Sequence, residues 1–332
     1  MRILTDVNIN WLKYRWQALI FSWVIILAGI ALATTRGLPL GIDFSGGTLL
    51  ILEFEKPIAE QQVRAALETS VPGEKVVQKY GGSAANQILV RLPQNESIEQ
   101  GFSLERDVNQ VVDALRKSSL GKFDVRSTEV VGPVIGRDLQ RKGVYATVAA
   151  LLGIMIYIAL RFRFSFGIGA MVASIHDVLV TLSVLTIMSQ GFRIPGYELS
   201  LNVVAAILTL VGYGVNDQIV IFDRVRENLH SRSREPLDAV INKSVNQTLP
   251  RTVITAGCTF LSVLALYLFG GEVLKGFAFA MLVGIITSTY STVFIASAIA
   301  VMLGKRSQPP AAAPSRAGKK TRASQSGSGL RA

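Results

Sequence analysis

Cysteine is almost absent from the 332 residues: Cys258 is alone, and it lies in an apolar run. A disulfide framework and a cysteine-based metal site are therefore excluded. Histidine is nearly as scarce, with only His176 and His230. His176 has no second histidine nearby, so no metal site is expected around it. No nucleophile elbow or phosphate loop is present. The glycine-containing stretch at 41–47 lacks the Lys-Ser/Thr pair that a phosphate loop needs. Neither an enzyme nor a cofactor is expected. Charge is thin as well: 17% of residues are charged, 50% are hydrophobic, and the mean hydropathy is +0.40. An ordinary soluble domain is not that apolar, and several membrane spans are expected instead.

The formal net charge is +11. Its distribution argues against nucleic acid as a partner. Between residues 37 and 142 there are 13 Lys/Arg and 14 Asp/Glu, so the one long polar stretch is close to neutral. The excess lies beside the apolar runs and in the tail, which is the positive-inside pattern of a membrane protein.

The first 16 residues carry Arg2, Lys13 and Arg15 ahead of an apolar run at 17–36. That run is longer than the core of a cleaved signal, so it reads as a retained first span with a cytoplasmic N-terminus. Residues 37–142 follow as a patterned polar domain. Alternation at 48–55, helical spacing at 58–69, two short strands at 75–80 and 88–92 around a Gly-Gly-Ser turn, a helix at 97–119 and a strand at 123–131 give the order βαββαβ. This is a small α+β, ferredoxin-like arrangement between the first and second spans, on the periplasmic side.

Five more apolar runs lie at about 143–160, 166–188, 199–222, 252–269 and 273–303. The connections at 161–163 and 223–251 carry two and six Lys/Arg, and the tail from residue 305 carries seven. The opposite links at 190–198 and 270–272 carry one and none. The chain thus reads as an α-helical polytopic membrane protein of six transmembrane helices, both termini cytoplasmic. Residues 305–332 read as a disordered basic tail. In the last span Gly276, Ala280, Gly284, Ser288, Thr292, Ala296, Ala300 and Gly304 recur every four residues. They predict a small-residue packing seam against another helix.

Ionisable groups inside the spans are the candidate site. A charged carboxylate at the bilayer centre costs about 2.5–3.5 kcal/mol on insertion scales, so it requires a partner or a function. Asp217 lies in the fourth run between Asn216 and Gln218. Arg251 is expected to open the fifth helix and to reach a similar depth, with Thr255 and Thr259 continuing its face as a hydroxyl stripe able to hold water. Asp217 reads either as half of a buried ion pair with Arg251 that only sets helix register, or as a carboxyl that binds and releases a proton. Gly212 and Gly214 beside it allow close packing. Asp177, next to His176 in the third span, reads equally as a proton relay or as an interhelical hydrogen bond. Asp223, Arg224, Arg226 and Glu227 read as surface pairs, and His230 as solvated.

Several stretches together carry a family resemblance: GIDFSGGT at 41–48, VGPVIG at 131–136, VGYGVND at 211–217, FDRVREN at 222–228, RT at 251–252 and LFGG at 268–271. On these the chain resembles the SecF family, the smaller half of the SecDF complex of bacterial protein export in the resistance-nodulation-division superfamily. The resemblance implies a heterodimer with a six-span SecD and action at the SecYEG channel on a translocating preprotein. The proton-motive force would complete movement that SecA begins with ATP. It also implies YajC and YidC as accessory neighbours, contact with membrane lipids, and a proton pathway through Asp217 and Arg251. Two other functions stay open: a half-size efflux or lipid transporter of the same superfamily, and an assembly factor whose intramembrane charges are only structural.

Overall fold

The computed structural model describes residues 8–68, 70–71, 75–80, 86–92, 102–161, 164–231 and 235–305. The Gly-Gly-Ser turn at 81–83, the start of the helix expected from residue 97 and the tail from residue 306 lie outside them. Trp11–Tyr14 forms one 3-10 turn that leads into α1 (Arg15–Arg36). Ala18, Ser22, Ile26 and Gly29 are its buried positions and recur about every four residues on one stripe. Ile20, Phe21, Trp23, Val24 and Leu27 are exposed, as lipid-facing residues are.

A short helical turn, α2 (Ile42–Ser45), then opens a four-stranded antiparallel sheet. Its elements are β1 (Gly47–Phe54), α3 (Glu60–Glu68), β2 (Val76–Tyr80), β3 (Gln87–Leu92), α4 (Phe102–Lys117) and β4 (Phe123–Val131), with strand order β2-β3-β1-β4. Alternation sets the two faces. Leu50, Leu52, Phe54, Val77, Ile88 and Val90 join Val63 and Leu67 of α3 and Val111 and Leu115 of α4 in one core. Ile51, Tyr80 and Leu89 form a second cluster on the opposite face, with Leu49 packed against it.

The remaining elements are α5 (Pro133–Arg161), α6 (Phe164–Thr186), α7 (Leu201–Ser231), α8 (Leu237–Phe269), α9 (Glu272–Ser291) and α10 (Ser297–Lys305). A π-helical segment, Ile187–Gly191, extends α6, and another, Thr292–Ala296, joins α9 to α10. Among the described residues, six helical stretches are long and apolar enough to cross a membrane, two of them running through these π segments.

Two helices begin earlier than hydropathy suggests. α5 starts at Pro133 rather than near residue 143, because proline suits a first helical turn and polar residues past the apolar window still continue a helix. α8 starts at Leu237 and runs through Pro250, so Arg251 does not open the fifth helix; it lies 14 residues inside it, about 21 Å along the axis. Proline costs a helix interior about 3 kcal/mol. Here Leu237, Val240, Ile241 and Val245 offset it by burying an amphipathic stripe. α7 likewise continues to Ser231, so most of the expected loop at 223–251 is an antiparallel helical pair.

The small-residue series of the last span meets a succession of neighbours. A Cβ at Gly276 would lie 2.9 Å from the Gly196 carbonyl, and one at Gly284 would lie 2.1 Å from Leu210 Cδ1 on α7. Ala280 is fully buried in the same region. Within the π segment the contact turns to α6, where a Cβ at Gly169 would fall 2.7 Å from the Ala296 carbonyl, and past it a Cβ at Gly304 would fall 2.3 Å from Leu237 Cδ2 of α8.

Candidate functional site: a polar layer in the helix bundle

Two apolar clusters fill the bundle. One holds Leu185, Val203, Ala206, Ile207, Leu210, Ala256, Ala280, Met281 and Ile285. The other holds Phe166, Ala170, Ala173, Val215, Ile221, Phe222, Ile241, Val245, Val293 and Ala296. Buried polar residues mark the boundary between them on three helices, Ser174, His176 and Asp177 on α6, Thr248 and Thr252 on α8, and Ser288 and Ser291 on α9, while on α7 Asp217 and Gln218 lie just past it, between Val215 and Ile221 of the second cluster. Four helices thus place their polar side chains in one layer across the bundle.

Asp177 is the bonded member of that layer. Ser291 Oγ donates to its Oδ2 over 2.8 Å, and His176 Nδ1 lies 3.1 Å from its Oδ1. Both carboxylate oxygens are therefore engaged, one of them across to the sixth span. Gly214 lets α7 approach the pair: a Cβ there would fall 2.6 Å from Ser288 Oγ and 3.6 Å from Asp177 Oδ2. Gly212, by contrast, has nothing within 4 Å of a notional Cβ.

Asp217 differs. It is 3% exposed, and its Oδ2 has no hydrogen-bond partner among the described residues. The side-chain polar atoms of Gln218, Ser174 Oγ, Ser288 Oγ and Thr252 Oγ1 share that condition. A buried group left unbonded costs about 1–3 kcal/mol, so each of these atoms calls for a further hydrogen-bond partner. A cavity of about 10 Å³ lined by Ser174, Asp177, Thr181, Ile207, Leu210 and Val211 lies within the layer. That is the lower limit for one water molecule.

Arg251 is exposed on α8, and no ion pair within 4 Å joins it to Asp217, although its charge acts on that carboxylate. The pair is thus coupled through space and not bonded. Asn216 and Thr255 are also exposed. The hydroxyl stripe bonds back to its own helix, Thr255 Oγ to the Arg251 carbonyl and Thr259 Oγ to the Thr255 carbonyl over 3.0 Å. Arg224 pairs with Glu227 at 2.6 Å, and Asp223 lies 3.6 Å from Arg161.

Sequence reasoning missed Ser291, Ser174 and Thr252, and read Ser288 only as a packing residue. The available signal was the register: Ser291 falls three residues after Ser288, off the four-residue series, and so on the neighbouring stripe of the same helix.

Comparison with known proteins adds a family. The model for "Protein export membrane protein SecD/SecF, C-terminal" matches residues 110–306, and the SecD/SecF GG motif matches residues 31–58. The protein translocase subunit SecF of Rhodothermus marinus is 39% identical over 311 residues, covering 92% of this chain and 96% of that one. The subunit SecF of Escherichia coli O157:H7 is 37% identical over 297 residues, covering 90% and 88%. Among solved structures, SecDF from Thermus thermophilus, a translocon-associated membrane protein, matches with a TM-score of 0.78 at 31% identity. The match takes in 92% of this chain and 40% of that one, so the chain spans well under half of the larger protein. SecDF in its super-membrane-facing form matches with a TM-score of 0.65.

Proposed function

The chain belongs to the SecD/SecF family of protein export membrane proteins, and on that footing we propose that it couples a proton gradient to preprotein movement, with Asp217 as the group that takes up and releases the proton. The observation that carries this is the buried, unbonded Asp217 carboxylate in a polar layer between two apolar clusters. An ionised carboxylate there is costly without a bonded partner. Protonation removes the charge, and approach of Arg251 offsets it. Two arrangements of similar energy follow, one for each protonation state. A proton crossing at about 150 mV releases roughly 3.5 kcal/mol, enough to shift such an equilibrium a few hundredfold.

The partner reading has its own support. The membrane window of α8 is 17% buried, and it presents Arg251 and Thr255 beside Val253, Ile254 and Leu261, all exposed. Lipid satisfies neither a guanidinium nor an amide, so the exposed Arg251 of α8 and the exposed Asn216 of α7 suit contact with a second protein. A six-span SecD half, joined to this chain at the Sec translocon, fits that need. The Lys/Arg bias of the loops supports cytoplasmic termini and a periplasmic sheet domain. The strand order β2-β3-β1-β4, with α3 and α4 on one face, supports reading that domain as ferredoxin-like.

The test is export of a stalled preprotein in membranes with and without a proton gradient, comparing wild type, Asp217→Asn and Arg251→Met. Loss of the gradient-dependent increment in both variants is expected, with ATP-driven export intact. Equal gradient dependence in all three would overturn the assignment.

A further inference from the structure

The stretch at 41–47 has no part in the polar layer, yet it makes some of the longest-range bonds in the molecule. Gly41 N–H donates to the Leu199 carbonyl over 2.7 Å, and Leu199 N–H donates to the Pro39 carbonyl over 2.6 Å. These two bonds form a parallel bridge between Leu40 and Leu199. Two residues on, Asp43 Oδ2 accepts a hydrogen bond from the backbone N–H of Leu201 over 2.8 Å. Leu201 is the first residue of α7, so Asp43 caps from 158 residues away an amide that the helix itself cannot satisfy. Ser200 caps the same first turn locally, its Oγ accepting from Val203 N–H over 3.3 Å.

The fit leaves no slack. A Cβ at Gly41 would lie 3.0 Å from the Leu199 carbonyl oxygen, and one at Gly136, in the first turn of α5, 3.0 Å from the Phe44 carbonyl oxygen. Ile42 and Phe44 are 4% and 5% exposed, which anchors the turn from both sides of Asp43. Gly46 and Gly47 then take φ of 74° and 127°, a reversal open to glycine, and Gly47 enters β1 opposite Val131 of β4. A second tie reinforces the junction where Arg91 of β3 lies 3.5 Å from Glu198.

We propose that Asp43 is a positioning residue, whose bond to the first N–H of α7 makes the sheet domain and the helix that carries Asp217 move as one body. Asp217 lies 16 residues along α7, about 24 Å from the clasp. A continuous helix gripped at its end transmits displacement over that length where a loop would absorb it. Any shift of α7 between the two protonation states of Asp217 then reaches the sheet domain without a hinge. This consequence rests on the proton-coupled reading of Asp217; the clasp itself does not.

The experiment uses the full chain assembled with its partner half, in a Cys258→Ser background. Spin labels at Glu68 of α3 and Thr209 of α7, both exposed, report the distance between the domain and the helix. Wild type and Asp43→Asn, whose amide oxygen still caps the helix, should give one narrow distribution. Asp43→Ala should broaden it and lower the gradient-dependent increment of export about fivefold, the equivalent of one lost cap. If Asp43→Ala fails to accumulate, Asp43→Glu takes its place, since one extra methylene moves the acceptor off the Leu201 amide. A narrow distribution in the cap-lacking variant overturns the clasp. A broad distribution with unchanged export overturns its role in coupling. An Asp43→Asn variant as impaired as Asp43→Ala overturns capping as the cause. Should Asp217→Asn keep full gradient dependence, the proton reading fails while the distance distributions still decide the clasp.

Discussion

Asp217 is buried inside the bundle, whereas Arg251, the cation whose charge acts on it, is exposed on the neighbouring α8 with no bond between them. A buried ion pair would lock the two helices in one arrangement. On the proposed reading, separation leaves the carboxylate free to exchange its proton and puts the guanidinium where a second subunit can reach it.

Replacing Asp217 by asparagine is therefore expected to abolish the gradient-dependent increment of export without lowering stability. The amide fills the same volume and carries no charge to desolvate. Thermal unfolding of the purified chain should show a midpoint equal to or above wild type. A marked fall would mean that the carboxylate is a structural tie.

Asp177 should behave in the opposite way. Asp177→Ala strands Ser291 and His176 in the bundle, which costs about 1–3 kcal/mol for a buried group left unbonded. Asp177→Asn keeps an acceptor for Ser291 and should cost less. The ranking wild type, Asn, Ala in thermal midpoint checks the assignment; equal midpoints for the two variants contradict it.

Two glycines give a paired packing prediction. Gly169→Ala drives a Cβ to 2.7 Å from the Ala296 carbonyl, a backbone atom that yields only if α6 moves away, and should cost about 1–3 kcal/mol. Gly212→Ala meets nothing and should be neutral or stabilising by about 0.5–1 kcal/mol. Denaturation in detergent measures both, and equal effects would refute the packing account.

Glu129 supplies a pH test outside the membrane. Burial, and then the charge of Asp43, raise its carboxyl above the ordinary carboxylate value. A raised value means that the folded state holds the proton more tightly than the unfolded chain. The stabilisation is complete below about pH 4.3, the value of an unfolded glutamate, and is lost as pH rises through the folded value. Glu129→Gln should accordingly raise the thermal midpoint at pH 8 and leave it unchanged at pH 3. The side chain is exposed enough for water to screen much of the effect, so a small shift is expected. A variant less stable at pH 8 would reverse the sign.

Much of the architecture was legible because membrane spans and strands are written in local patterns. Nineteen or so apolar residues before Arg36 need no tertiary information to be read as a span. Alternation through Leu50, Leu52 and Phe54 likewise reports its own buried face. Helix ends were less legible. Hydropathy follows the lipid boundary, and α8 passes that boundary because Val240, Ile241 and Val245 find a protein surface to cover.

The candidate site divides along the same line. That a carboxylate sits among apolar residues at Asp217, with an arginine on the following helix, is a property of the chain as written. Whether that carboxylate is bonded, and to what, depends on which side chains four separate helices bring to one depth. Residue spacing cannot encode this, because the rotation of each helix about its axis is settled by packing with its neighbours. Ser291 on Asp177, Asp43 on the first amide of α7, and Arg251 held off from Asp217 are all decisions of the tertiary structure.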